Sequence, residues 1–165
     1  MTNNWNKDLK KGFSFVRNGK DEDYKNTNKR YEKAYKYLND AYKKLIKSDP
    51  KNNFQLAEIS LWKGISLNEN LDIKNEIKRN DRAIKEYEKG MEHLKKLKED
   101  EIRLIMSLNN SLGVAYHHKD FSHIPEISYK YYKKAYNIYK KNKDDKKIKE
   151  IMKKVEYNSG FKYKL

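Results

Sequence analysis

There is no cysteine among the 165 residues, which removes disulfide staples, thiolate metal sites and cysteine nucleophiles together. Residues that interrupt helices are also scarce: 2 Pro and 6 Gly. Long helices can therefore run unbroken, and the strict alternation of half-buried strands is rare. No apolar run is longer than a few residues, Leu104-Ile105-Met106 being typical, so no segment is built to span a bilayer as a helix. Met1 to Val16 contains Lys7, Lys10 and Lys11 and no apolar core of the kind a secretory leader carries. We expect no membrane insertion and a cytoplasmic protein, and the lack of thiols fits a reducing compartment.

What the chain has in abundance is charge. Charged residues make up 38% and apolar residues 36%, against about 25% and 45–50% in ordinary soluble domains. A thin, extended core fits this balance better than a thick one. The 39 basic and 24 acidic side chains leave a formal charge of +15, which attracts polyanions. Two features temper that reading. Only five of the cations are Arg (Arg17, Arg30, Arg79, Arg82, Arg103), and Arg is the usual reader of base edges and phosphates. The Lys also comes with much Asn, Ile and Tyr, whose codons, like those of Lys, are rich in A and T.

The apolar spacing predicts seven helices. Trp5, Leu9, Phe13 and Val16 recur at helical intervals over 3–18. After a turn at Asn18-Gly19-Lys20-Asp21, Tyr31, Tyr35, Leu38, Tyr42 and Leu45 mark a helix over 22–48, stopped at Ser48-Asp49-Pro50. Phe54, Ala57, Leu61 and Ile65 mark 52–68. Ile73, Ile77, Ile84, Tyr87, Met91 and Leu94 mark 72–98. Helices over 100–118 and 125–142 follow, the second opening on Pro125. Asp144 and Asp145 can start a last helix over 144–157, with Ile148, Ile151, Met152 and Val155 on one side, before a tail at 159–165.

The helices pair into similar units. Leu9 to Phe15, with Gly12, resembles Leu61 to Leu67, with Gly64, and Ser111-Leu112-Gly113-Val114-Ala115-Tyr116 is a third copy. Each is followed by a helix carrying a small, a large and a small residue at spacings of 4 and 3: Ala34/Leu38/Ala41, Ala83/Tyr87/Gly90 and Ser128/Tyr132/Ala135. Small residues on facing helices let the axes approach, and a large side chain fills the remaining gap. On these residues the chain resembles the tetratricopeptide repeat family, most clearly at Asn109 to Ala135. The family period is about 34 residues, whereas Gly12 to Gly64 is 52 and Gly64 to Gly113 is 49, so this is a long-helix variant. Lys11 and Lys63 stand where the third copy has Leu112. The resemblance implies an all-α fold: an α-solenoid of about three helix-turn-helix repeats (3–48, 52–98, 100–142) with a capping helix at 144–157, in one domain over 1–158.

For function, no Gly-rich phosphate loop and no His-Glu-x-x-His motif is present. His117, His118, His123 and Asp120 gather at one interhelical turn, but adjacent His residues point to different sides of a helix, and His suits a polar helix end. We therefore expect no metal, no cofactor and no catalytic residue. In the resembling family, ligands lie on a concave face made by the first helix of each pair. By offset from the three glycines that face here would hold Leu9, Phe13, Leu61, Ile65, Asn110, Val114 and His117. It is mostly apolar, which suits an amphipathic helix or apolar peptide and also suits ordinary core. The expected function is a non-catalytic scaffold or adaptor for a protein or peptide, with a basic rim steering an acidic partner. The alternative is a basic nucleic-acid-binding protein. Its contacts would be Lys130, Lys133 and Lys134, which alternate with Tyr129, Tyr131 and Tyr132, since rings and cations together bind single strands.

Overall fold

The computed structural model describes residues 4–17, 24–70, 76–97, 101–119 and 126–159. Among these the chain is all-α, with seven helices and no strand: α1 (Asn4–Arg17), α2 (Tyr24–Ser48), α3 (Asn53–Asn68), α4 (Glu76–Leu94), α5 (Ile102–Lys119), α6 (Glu126–Lys141) and α7 (Lys146–Ser159). The expected turn at Asn18 to Asp21, Ile73, Asp120, His123, Pro125 and the tail beyond Ser159 lie outside the described residues. The chain divides into two compact units, Met1–Leu97 and Lys98–Leu165.

The helix ends follow local chemistry. Asn52 caps α3, its side chain accepting from the Gln55 N–H at 3.3 Å, the usual way to satisfy one orphan donor of a first turn. Asp145 caps α7, one carboxylate oxygen accepting from Lys147 N at 2.9 Å and Ile148 N at 3.1 Å. Its other oxygen accepts from the Arg103 guanidinium at 2.6 Å, which ties the start of α7 to α5.

In the first unit α1 packs on α2, α3 on α4, and α3 also packs on α1 and α2. One cluster of the interior is Leu9, Leu38, Ala41, Leu45, Leu56 and Ile59, flanked by half-buried Trp5, Phe13, Val16, Tyr42 and Trp62. In the second unit α5 packs on α6, and α7 packs on both. There Ile148, Met152 and Val155 close over Met106, Tyr132 and Ala135.

All three small–large–small triplets are buried. Each large member meets the glycine of its pairing helix. A Cβ on Gly12 would lie 2.6 Å from Leu38 Cγ, one on Gly64 would lie 2.5 Å from Tyr87 Cδ1, and one on Gly113 would lie 2.5 Å from Tyr132 Cε1. Close-packed interiors leave no room for that atom, so glycine is what lets each helix pair approach. Not every residue of the apolar stripes is interior: Ile77, on the expected stripe of α4, is 62% exposed.

Candidate binding site

The residues expected on a concave face have mixed exposure. In the first unit Leu9 and Leu61 are buried, while Phe13 and Ile65 are half-buried. In the second unit Asn110 is buried and accepts from the Asn158 side-chain amide at 3.3 Å. Val114 and His117 are half-buried, Val114 against the cluster around Tyr132.

The side chains that do reach the surface of the α1–α3 face form one cluster. Phe13 and Trp62 meet with ring centroids 5.3 Å apart at 55°. The Arg17 guanidinium lies 5.2 Å from the Phe13 centroid and 5.1 Å from that of Trp62, within cation–π range of both rings. Glu58 stands beside them, hydrogen-bonded by the Trp62 and Gln55 side chains. Partial burial raises its carboxyl above the ordinary carboxylate range, and Arg17 and the two hydrogen bonds pull it back. The face thus offers aromatic area with a cation and a carboxyl held at fixed points.

A second feature of the first unit is a cleft of about 470 Å³ between α2, α3 and α4. Its walls are Tyr31, Glu32 and Tyr35 from α2, Ser66 and Leu67 with Asn70 from the end of α3, and Lys78, Arg79 and Arg82 from α4. Behind Tyr35 lies a buried ion pair, Lys63 Nζ to Glu86 Oε2 at 3.0 Å. The same ammonium sits 4.7 Å from the Tyr42 centroid and 5.5 Å from that of Tyr35. Burial pushes the Lys63 ammonium below its ordinary range, and Glu86 opposes the shift. Tyr42 in turn donates to His93 Nε2 at 2.8 Å, and His93 Nδ1–H donates to Asn53 Oδ1 at 3.1 Å. Burial lowers the His93 pKa, which favours the neutral imidazole and this direction of the chain.

In the second unit Tyr129, Lys130, Lys133 and Lys134 are exposed along α6, with Lys134 Nζ 5.0 Å from the Tyr131 centroid. Tyr131 stacks on Tyr116 at 5.5 Å and 9°. The His117 and His118 rings lie 6.1 Å apart. Among the described residues no group of three His, Asp or Glu could hold a metal ion, and no helix is long and apolar enough to cross a membrane.

Trp62, Arg17 and Glu58 were not among the expected site residues. Trp62 adjoins Leu61 inside the repeated motif, and Arg17 lies one turn beyond Phe13, so proximity to the motif was the available signal. The Lys63–Glu86 pair also had a signal: a Lys at a motif position that is Leu in another copy, and a Glu beside the motif ring. No family model, curated protein or solved structure matches this chain.

Proposed function

We propose that this chain is a non-catalytic binding module, a scaffold or adaptor whose partner is a protein or peptide bound on the α1–α3 face around Phe13 and Trp62. The observation that carries this reading is the Phe13–Trp62 pair beneath Arg17. Trp and Arg dominate binding hot spots because they combine large contact area with directed polar groups, and here they are half-buried or exposed. The resemblance to tetratricopeptide repeats supports the same face, since α1 and α3 are the first helices of their pairs. The formal charge of +15 supports an acidic partner, by steering. The test is affinity capture from source-cell lysate on immobilised full chain, in parallel with the Arg17→Ala/Trp62→Ala variant, through high salt and nuclease. The proposal expects a protein retained by the parent and lost by the variant. A protein held equally by both would remove this face.

A second reading has its own observation, the exposed Tyr129, Lys130, Lys133 and Lys134 of α6: a nucleic-acid-binding protein using stacking and counterion release. It expects retention of RNA or single-stranded DNA at low salt only, lost when Lys130, Lys133 and Lys134 are all changed to Gln.

A further inference from the structure

A stacked pair of rings recurs at the same motif positions in two of the helix pairs. In α5–α6 it is Tyr116, three residues after Gly113, and Tyr131, one before Tyr132. Their centroids lie 5.5 Å apart and their planes 9° from parallel. In α1–α2 it is Phe15, three after Gly12, and Tyr37, one before Leu38, at 5.7 Å and 6°. In α3–α4 the matching positions hold Leu67 and Glu86, which carry no rings. The glycine contact that closes each helix pair therefore also brings these two positions together, and where both are aromatic they settle into an offset stack. All four rings are half-buried, so they keep one side within reach of solvent. Of the two stacks, only Tyr116–Tyr131 sets phenol on phenol. With no cysteine in the chain, a covalent staple has to come from such a pair rather than from thiols.

We propose that Tyr116 and Tyr131 are a site of oxidative modification, at which a carbon–carbon bond forms between the two rings and fastens α5 to α6. The oxidant is hydrogen peroxide activated by a haem peroxidase. Each phenol gives up one electron and one proton and becomes a phenoxyl radical. The two radicals join through ring carbons ortho to oxygen. The hydrogens on those carbons then move to the oxygens and restore both phenols. Two phenols and one peroxide thus yield one dityrosine and two waters. A phenoxyl radical on a lone tyrosine couples only after another diffuses to it. Here the second ring already lies alongside and parallel, so coupling is intramolecular and outruns encounters between copies at micromolar concentration. Tyr136 and Tyr139, on one helix, are farther apart and tilted, at 6.2 Å and 51°. Tyr157, 87% exposed, is the opposite case, a phenol open to other copies. The inference goes beyond the binding reading and uses no residue of the α1–α3 face, so the two stand or fall separately.

The test treats the full chain, at micromolar concentration, with a haem peroxidase and hydrogen peroxide. Monomer is then separated from covalent dimer, and both are read by dityrosine fluorescence and by mass spectrometry of tryptic peptides. The monomer should carry the fluorescence and a species two hydrogens lighter, with the peptide holding Tyr116 joined to the one holding Tyr131. Tyr116→Phe and Tyr131→Phe each keep the ring and remove one phenol, so each should abolish the link while leaving the helical circular-dichroism signal. Tyr157→Phe should leave it unchanged. Phe15→Tyr completes a phenol pair with Tyr37 at the matching place in the first unit, and should add a second link, between α1 and α2. Three results would overturn the proposal: an oxidised monomer with no linked tyrosines; dityrosine confined to covalent dimers; or a Tyr116 link that persists in Tyr131→Phe, which would assign the coupling to another ring.

Discussion

Gly64 meets the ring of Tyr87 in the first unit, and Gly113 meets the ring of Tyr132 in the second. The helix-pairing device is the same, but the residues just before each of these four positions differ in kind. In the first unit they are Lys63 and Glu86, a buried ion pair. In the second they are Leu112, which is buried, and Tyr131, which stacks on Tyr116. The α1–α2 pair has a third solution, Lys11 Nζ at 5.2 Å from the Tyr37 centroid beside the Gly12–Leu38 contact. What must be kept for two helices to close is the steric match of glycine and bulk. The neighbouring pair can be apolar, cationic over a ring, or ionic. The ionic version makes the first unit more sensitive to single changes, because each buried charge depends on its partner.

The largest effect should follow from breaking that pair. Lys63→Met leaves Glu86, among the described residues, with only the half-exposed Lys89 at 3.4 Å, and loss of one partner of a buried pair costs about 3–5 kcal/mol. Lys63→Met/Glu86→Leu should recover most of this. Both Trp residues, Trp5 and Trp62, belong to the first unit, so the urea midpoint of Trp fluorescence reads it directly. Equal midpoints for the single and double variants would contradict the role given to the pair.

The glycine contacts should rank next. Gly64→Ala and Gly113→Ala each force a ring to move, a kind of overpacking that costs about 1–3 kcal/mol. Gly12→Ala meets Cγ and Cδ2 of the fully buried Leu38 and comes within 3.3 Å of its backbone nitrogen, but the group that must give way is smaller than a tyrosine ring. The helix preference of Ala over Gly returns up to about 1 kcal/mol at each site, so Gly12→Ala should be destabilising but the mildest of the three. Thermal melts by far-UV circular dichroism check the order, and a Gly12 variant as unstable as the other two would show that ring rigidity is not what matters.

The smallest effect distinguishes the first unit by pH. His93 is neutral in the Tyr42–His93–Asn53 chain, and its pKa lies below the ordinary 6.5. Because the folded value is depressed, the stabilisation is complete above 6.5. As pH falls below 6.5 the unfolded chain takes the proton first, so stability declines until the folded value is passed. Lys96 adds to the depression and Glu92 opposes it. Fluorescence-monitored melts between about pH 7.5 and 5.5 should show this decline, and His93→Gln should flatten it. An unchanged slope in the variant would assign the dependence to other groups.

Much of the fold was legible because it rests on local patterns. The triplets Ala34/Leu38/Ala41, Ala83/Tyr87/Gly90 and Ser128/Tyr132/Ala135 predicted which side chains are buried, and Asp145 marked a helix start. The site was less legible because apolar spacing does not tell a face that meets another helix from one that meets solvent. Leu61 and Trp62 are neighbours in sequence, yet the first is 7% exposed and interior while the second carries the aromatic cluster. The cleft on α4 was invisible for another reason: Lys78 and Arg82 share a helix, but Tyr35 and Glu32 come from a different one. Only the packing of α2 against α3 and of α3 against α4 brings them together.

The central claim is that the α1–α3 face is the partner surface. The most direct test is the pair of tryptophan indole N–H resonances of the 15N-labelled full chain, recorded as the captured partner is added. The account predicts that the Trp62 indole signal shifts or broadens at stoichiometric partner and that Arg17→Ala reduces the change. A Trp62 signal that stays put while amides along α6 move would contradict it and transfer the binding surface to the Tyr- and Lys-bearing side of α6.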